Sequence, residues 1–116
     1  MGTIVLRDMM FFARHGESEA ERQTGGRYKI NLSFECDILT PGKTDDIADA
    51  VDYAAVYRVI ALEMNISSNL LENVALRIAQ RLKNDFKAIN SLCLELYKIN
   101  PPIEGQIGES GVIINL

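Results

Sequence analysis

The order of strand-like and helix-like periods in this chain predicts an α+β fold, a four-stranded antiparallel sheet with two helices on one face. Three observations carry that expectation. The run from Tyr28 to Ile38 alternates apolar and polar residues without a break, two later segments carry apolar residues at helical spacing, and two further strand-like runs close the chain. At 116 residues the chain fits one domain, 1–116, and is too short for two.

The first strand is expected over Thr3 to Phe12, followed by a polar, glycine-containing connection from His15 to Gly26. In the second strand Tyr28, Ile30, Leu32, Phe34, Cys36 and Ile38 form one face, and Lys29, Asn31, Ser33, Glu35 and Asp37 the other. That period of two gives a buried face and a wet one. Thr40-Pro41-Gly42-Lys43 breaks the pattern, and the acidic stretch Asp45 to Asp49 leads into a helix from about Tyr53 to Met64 with the stripe Tyr53, Val56, Tyr57, Ile60, Met64. Asn69 reads as the N-cap of a second helix, whose apolar face is Leu70, Leu71, Val74, Ile78 and Leu82. Leu92 to Ile99 and Gly111 to Leu116 supply the last two strands. A small open sheet of this kind leaves edges and one face uncovered, and joining several copies into a closed barrel would remove both.

The formal charge of -4, with no Lys/Arg block, argues against a nucleic-acid partner. No apolar run approaches membrane-spanning length and no signal pattern opens the chain, so no membrane partner is expected and the expected location is the cytoplasm. Cys36 and Cys93 lack CxxC spacing and read as packing residues rather than a disulfide. Asp45 and Asp46 read as caps or a solvated turn, not as a metal pair.

Lys98 ends the Leu92 to Ile99 run just before Asn100-Pro101-Pro102. Prolines cannot donate to a sheet ladder, so they stop the strand and hold Lys98 at its rim, a place suited to an acid/base group. Glu72 opens the second helix, where a negative charge suits the dipole, and Tyr53 opens the first. Each has an ordinary alternative: a solvated lysine, a first-turn glutamate, a packed tyrosine.

Arg14-His15-Gly16 resembles the Arg-His-Gly motif of histidine phosphatases, but that chemistry needs a second histidine and His15 is the only one. It reads as structural. The whole chain instead resembles the dihydroneopterin aldolase family. The match runs through Phe12 to Gly16 with Glu21 beyond, Thr44-Asp45-Asp46, Val51-Asp52-Tyr53, Asn69-Leu70-Leu71-Glu72, and Lys98 to Gly105 followed by Gly111-Val112. Ala13, Arg14 and Gly26 depart from the family's usual residues and bear on substrate preference.

That resemblance implies the tunnelling fold, a homo-oligomeric ring of four commonly paired into an octamer, and active sites between neighbouring subunits. It implies a small-molecule pterin substrate, 7,8-dihydroneopterin, cleaved by a retro-aldol step to 6-hydroxymethyl-7,8-dihydropterin and glycolaldehyde. No cofactor is expected, because the pterin ring is the electron sink, and one histidine cannot supply the zinc cluster of relatives on this fold. Lys98 is then the general acid/base, Tyr53 a substrate contact from the neighbouring subunit that returns a proton, Glu72 the two-pronged anchor of the pterin, Leu71 a pocket wall and Glu21 a contact to the hydroxylated side chain. The alternatives are a pterin epimerase of the same family and a non-catalytic pterin-binding ring.

Overall fold

A computed structural model describes residues 1–116. Four strands, β1 (Gly2–Ala13), β2 (Gly26–Cys36), β3 (Ser91–Ile99) and β4 (Glu109–Asn115), form one antiparallel sheet in sequence order. Helices α3 (Tyr53–Met64) and α4 (Leu71–Asp85) lie between β2 and β3 in the chain and pack on one face. Two short helices were not expected: α1 (Glu19–Thr24) lies in the β1–β2 connection, and α2 (Leu39–Thr44) takes up the Thr40-Pro41-Gly42-Lys43 break.

The period of two in β2 works as the sequence demands. Tyr28, Ile30, Leu32, Phe34 and Cys36 are all buried, lying beside Leu92, Leu94 and Leu96 of β3 on the same sheet face and packing in one core with the α3/α4 stripe Val56, Ile60, Met64, Val74, Ile78 and Leu82. Each such side chain contributes about 1.5–3 kcal/mol of burial before its entropy is counted.

Ile38, expected to continue this face, is instead exposed. The Asp37 carboxylate accepts the Leu39 and Thr40 backbone N–H groups at 2.9 and 3.1 Å, turning the chain out of the sheet into α2.

Three further expectations are corrected. The cap of α4 is Leu70, without a side-chain bond, because the Asn69 side chain is turned to Arg22. Leu70 is therefore exposed, and the buried face of α4 adds Ala75 and Ala79 instead. Tyr53 and Tyr57 are exposed as well. Tyr53 is the first residue of α3, ahead of the part of the helix that reaches the core, and Tyr57 stacks on Phe11 at 5.6 Å between ring centroids. Cys36 is in the core but Cys93 lies on the opposite, uncovered face of the sheet; both are free thiols.

β1 carries a bulge between Leu6 and Met9, with Asp8 at φ 55° and its N–H donated to Asn31 Oδ1 at 2.7 Å. The uncovered face combines Val5, Met10, Phe12 and Ile113, all exposed, with a polar cluster in which Lys29 pairs with Glu109 at 3.0 Å and Tyr97 donates to Glu95. That bond, with burial, pushes the Tyr97 hydroxyl up to about 12.

Candidate active site

Lys98 pairs with Tyr28 across β2 and β3, which puts it in line with Leu92, Leu94 and Leu96 on the helix-covered face at the sheet's end. A charged group there must find acceptors. The Lys98 Nζ donates to Glu21 Oε2 at 2.5 Å and to the His15 carbonyl at 3.3 Å, and stands 5.8 Å from the centroid of the Tyr28 ring. Only 14% of the Lys98 side chain is exposed. Asn100, at φ 49°, turns the chain away immediately afterward, and its N–H is held by the Gly108 carbonyl at 2.8 Å.

Glu21 is presented by α1. Ser18 caps this helix: its hydroxyl accepts the Glu21 N–H at 3.1 Å and donates to Glu21 Oε1 at 3.3 Å. Six residues are too few to hold a helix alone, so its ends are pinned. Gly25, at φ 74°, donates its N–H to the Glu21 carbonyl at 2.9 Å, and Arg22 donates to the Gly16 and Glu17 carbonyls at 2.7 and 2.8 Å and to Asn69 Oδ1 at 3.2 Å. Gly16, at φ 153°, leaves the room Glu21 needs, since a Cβ there would fall 2.8 Å from its carboxylate.

The hydrogen bond from Lys98 is the largest influence on Glu21 and, with the bonds from Ser18, holds its carboxyl below the usual range against the opposing effect of burial. Glu21 is thereby distinguished from Glu17 and Glu19, which the sequence alone could not separate. The signal that would have done so is Ser18-Glu19-Ala20-Glu21, a Ser-x-x-Glu helix start.

Glu21 and Lys98 share a recess of about 160 Å³ whose walls include Thr24, Gly26, Asn100 and Pro102. Glu72 and Leu71 open α4, Glu72 exposed and Leu71 packed against the core, and neither lines that recess. The connection to them runs through Arg22 and Asn69. Tyr53 stands at the head of α3, 65% exposed, with Asp52 as its cap, and it too lies outside the recess. A larger recess, about 430 Å³, lies at the other end of the sheet around Thr3, Ser33, Cys93 and Leu116, and its one acidic side chain is the exposed Glu35.

His15 is 1% exposed and takes no part in the recess wall. Its Nδ1 accepts the Ser68 N–H at 3.2 Å, and its ring meets Tyr28 edge-on at 5.2 Å. Burial, with the positive charges of Arg77 and Lys98, lowers it from 6.5 to about 4, so the ring is neutral at ordinary pH. A buried, already engaged imidazole is a strut, as its sequence context indicates. Asp46 caps a single 3-10 turn at Ile47–Asp49, Asp45 ends α2 at φ 55°, and no three His, Cys, Asp or Glu side chains gather into a metal-holding group.

A family model described as FolB, dihydroneopterin aldolase, matches residues 4–115. The dihydroneopterin aldolase of Staphylococcus epidermidis is 30% identical over 112 residues, covering 96% of this chain and 93% of that protein. Among solved structures, the Vibrio cholerae FolB crystal structure is 28% identical with a TM-score of 0.92, covering 100% of this chain and 97% of its own. The Escherichia coli dihydroneopterin aldolase in complex with neopterin has the same fold, at 20% identity and a TM-score of 0.92, covering 100% of this chain and 99% of that one.

Proposed function

The chain belongs to the dihydroneopterin aldolase family, and from that membership together with the Glu21–Lys98 pair we propose how it cleaves 7,8-dihydroneopterin. The single observation that carries the residue assignment is the Lys98 ammonium held at a recess between a carboxylate and a carbonyl, with two of its three donors committed. The remaining one can face a reacting oxygen. Lys98 is the acid/base: once the ammonium has released that third proton, its lone pair takes the proton of the substrate hydroxyl next to the breaking bond, while its other two N–H groups stay on Glu21 and the His15 carbonyl. The carbon–carbon bond then cleaves, the hydroxyl carbon leaves as glycolaldehyde, and the bonding electrons pass into the ring imine to give an enamine. Protonation of its exocyclic carbon yields 6-hydroxymethyl-7,8-dihydropterin. Glu21 keeps Lys98 placed and contacts the hydroxylated side chain.

Glu72 anchors the ring: a pterin presents an amino group beside a ring N–H, and a carboxylate accepts both. Leu71 forms the wall beside it. Tyr53 reaches the site from a neighbouring copy and returns the proton. Two features support a site shared between subunits. The recess is smaller than the roughly 300–1,000 Å³ of ordinary small-molecule pockets, and Tyr53 is exposed on its own chain. The uncovered sheet face with Val5, Met10, Phe12 and Ile113 supports the ring, in which sheets of adjacent copies continue one another as a barrel of four subunits or a pair of such rings. A single-domain cytoplasmic enzyme without a cofactor completes the reading.

Incubation with 7,8-dihydroneopterin and separation of the products tests it. Glycolaldehyde with 6-hydroxymethyl-7,8-dihydropterin is expected. An isomerised pterin as the only product would make the chain an epimerase, and an unchanged pterin that stays bound would make it a non-catalytic binding ring.

A further inference from the structure

One buried imidazole is left unused by that reaction. The Nδ1 of His15 accepts from the Ser68 backbone, so the ring's proton sits on Nε2, which is buried without a hydrogen-bond partner. On its backbone side the same residue accepts twice: the His15 carbonyl takes the Tyr28 hydroxyl at 2.9 Å and Lys98 Nζ at 3.3 Å.

The loop that meets the imidazole is itself held. Gly16 donates its N–H to the Ser68 carbonyl at 3.0 Å, and Ser67 donates its hydroxyl to the Arg14 carbonyl at 2.5 Å. Arg77 of α4 donates to Ser68 Oγ at 2.9 Å and to the Ile66 carbonyl at 2.8 Å. Two hydrogen bonds, Arg77 to Ser68 Oγ and Ser68 N–H to the imidazole, together with the covalent frames of Ser68 and His15, therefore link α4 to the carbonyl beside Lys98.

We propose that His15 is a positioning residue for Lys98: by accepting the Ser68 amide, it fixes the peptide whose carbonyl, together with Glu21, sets where the Lys98 ammonium stands. The inference rests on Lys98 being the acid/base. A lysine is a point charge on a flexible stem, and two acceptors at fixed places are what turn it into an oriented group. Tyr28 is part of the device, since its hydroxyl holds the shared carbonyl and its ring flanks the ammonium. The device works only with a neutral ring, because a second proton on Nδ1 would set a donor against the Ser68 donor. Arg77 and Lys98, the charges that face the ring, both favour that neutral form.

Steady-state kinetics of the full chain with 7,8-dihydroneopterin test the proposal through His15→Leu, His15→Asn and Tyr28→Phe. Asparagine can place its carbonyl oxygen near the position of Nδ1 and so keep the Ser68 bond, whereas leucine cannot. His15→Leu should lower kcat by about tenfold or more with KM little changed, the scale of a sub-ångström misplacement, and His15→Asn should recover most of that loss despite its smaller volume. Tyr28→Phe, which removes only a hydroxyl, should lower kcat several-fold at unchanged KM and tests the same carbonyl if His15→Leu does not fold. In a Lys98→Ala background, Tyr28→Phe should cause no further loss. Equal losses in His15→Leu and His15→Asn would reduce His15 to packing and overturn the proposal, as would wild-type kcat in Tyr28→Phe. Full turnover by Lys98→Ala alone would overturn the assignment of Lys98 itself, a separate result from any of these.

Discussion

Acid should remove a defined amount of stability from this protein through one residue. His15 titrates at 6.5 when unfolded and at about 4 in the fold, so between those values the unfolded chain binds more protons. Its contribution is fully present above pH 6.5 and is lost as pH falls toward 4. The displacement, 6.5 - 4 = 2.5, corresponds to about 3 kcal/mol in full, of which about 2 kcal/mol is gone by pH 5. The ring is enclosed, so solvent screens this little. Urea unfolding at one fixed protein concentration, from pH 8 to pH 4, would be run on wild type and His15→Asn. The variant begins less stable because it loses the ring's packing, but the gap should narrow steadily below pH 6.5. The difference between the two curves isolates His15, because carboxylates titrate in both. A gap that stays constant down to pH 4 would refute the reasoning, since it would mean that the fold does not resist protonating this ring.

Other outcomes follow from the same geometry. Lys98→Ala should keep affinity for neopterin while losing turnover of 7,8-dihydroneopterin. Glu72→Ala should lose affinity by about a hundredfold, the worth of a two-pronged charged pair at roughly 3 kcal/mol, without loss of fold stability because Glu72 is exposed; calorimetric titration of both variants decides it. Mixing Tyr53→Phe subunits with Glu72→Ala subunits under conditions of exchange should raise activity above either parent, since some pockets then carry neither change; verified mixed rings that regain nothing would exclude a shared site. Arg77→Ala should lower the urea midpoint by the equivalent of about 3 kcal/mol, because it leaves the Oε1 of the buried Glu63, which Arg77 holds at 2.7 Å, without a partner and frees the Ile66 and Ser68 acceptors; a shift below about 1 kcal/mol would show that Arg81 on Oε2 is enough for Glu63.

The elements of the core were legible because their periods are clean. In β2 five successive even positions are buried, and α3 begins and ends where its stripe places it. What escaped the sequence is local side-chain capture of backbone groups, which leaves little hydrophobic signal. Asp37 ends β2 before Ile38, Asn69 serves Arg22 instead of capping α4, and α1 exists only because Ser18, Gly25 and Arg22 hold its ends. The same distinction applies to the site. Lys98 could be singled out because the prolines after it mark a strand end, and its contact with Glu21 follows in the structure. The strut behind that contact could not be read, because Tyr28 and His15 are joined through a carbonyl oxygen, and backbone atoms carry no residue code.

The bulge in β1 shows how a fold-level detail reaches the chemistry. Ile4 and Leu6 face the core at even positions, whereas Met9, Phe11 and Ala13 do so at odd ones. A strict alternation would turn the second group outward and bring Met10 and Phe12 in. One additional residue at Arg7–Asp8, with Asp8 at φ 55° and its amide taken by Asn31, resets the parity. The reset delivers Ala13 buried at the strand's end, opposite Gly26, and two residues later His15 enters the interior next to Tyr28. The carbonyl that holds Lys98 thus owes its place to a correction made midway along the strand. It also keeps Phe12 on the uncovered face, where its ring lies against Gly25 at the end of the helix that carries Glu21. Shifting this register by one residue would move both acceptors of Lys98 at once.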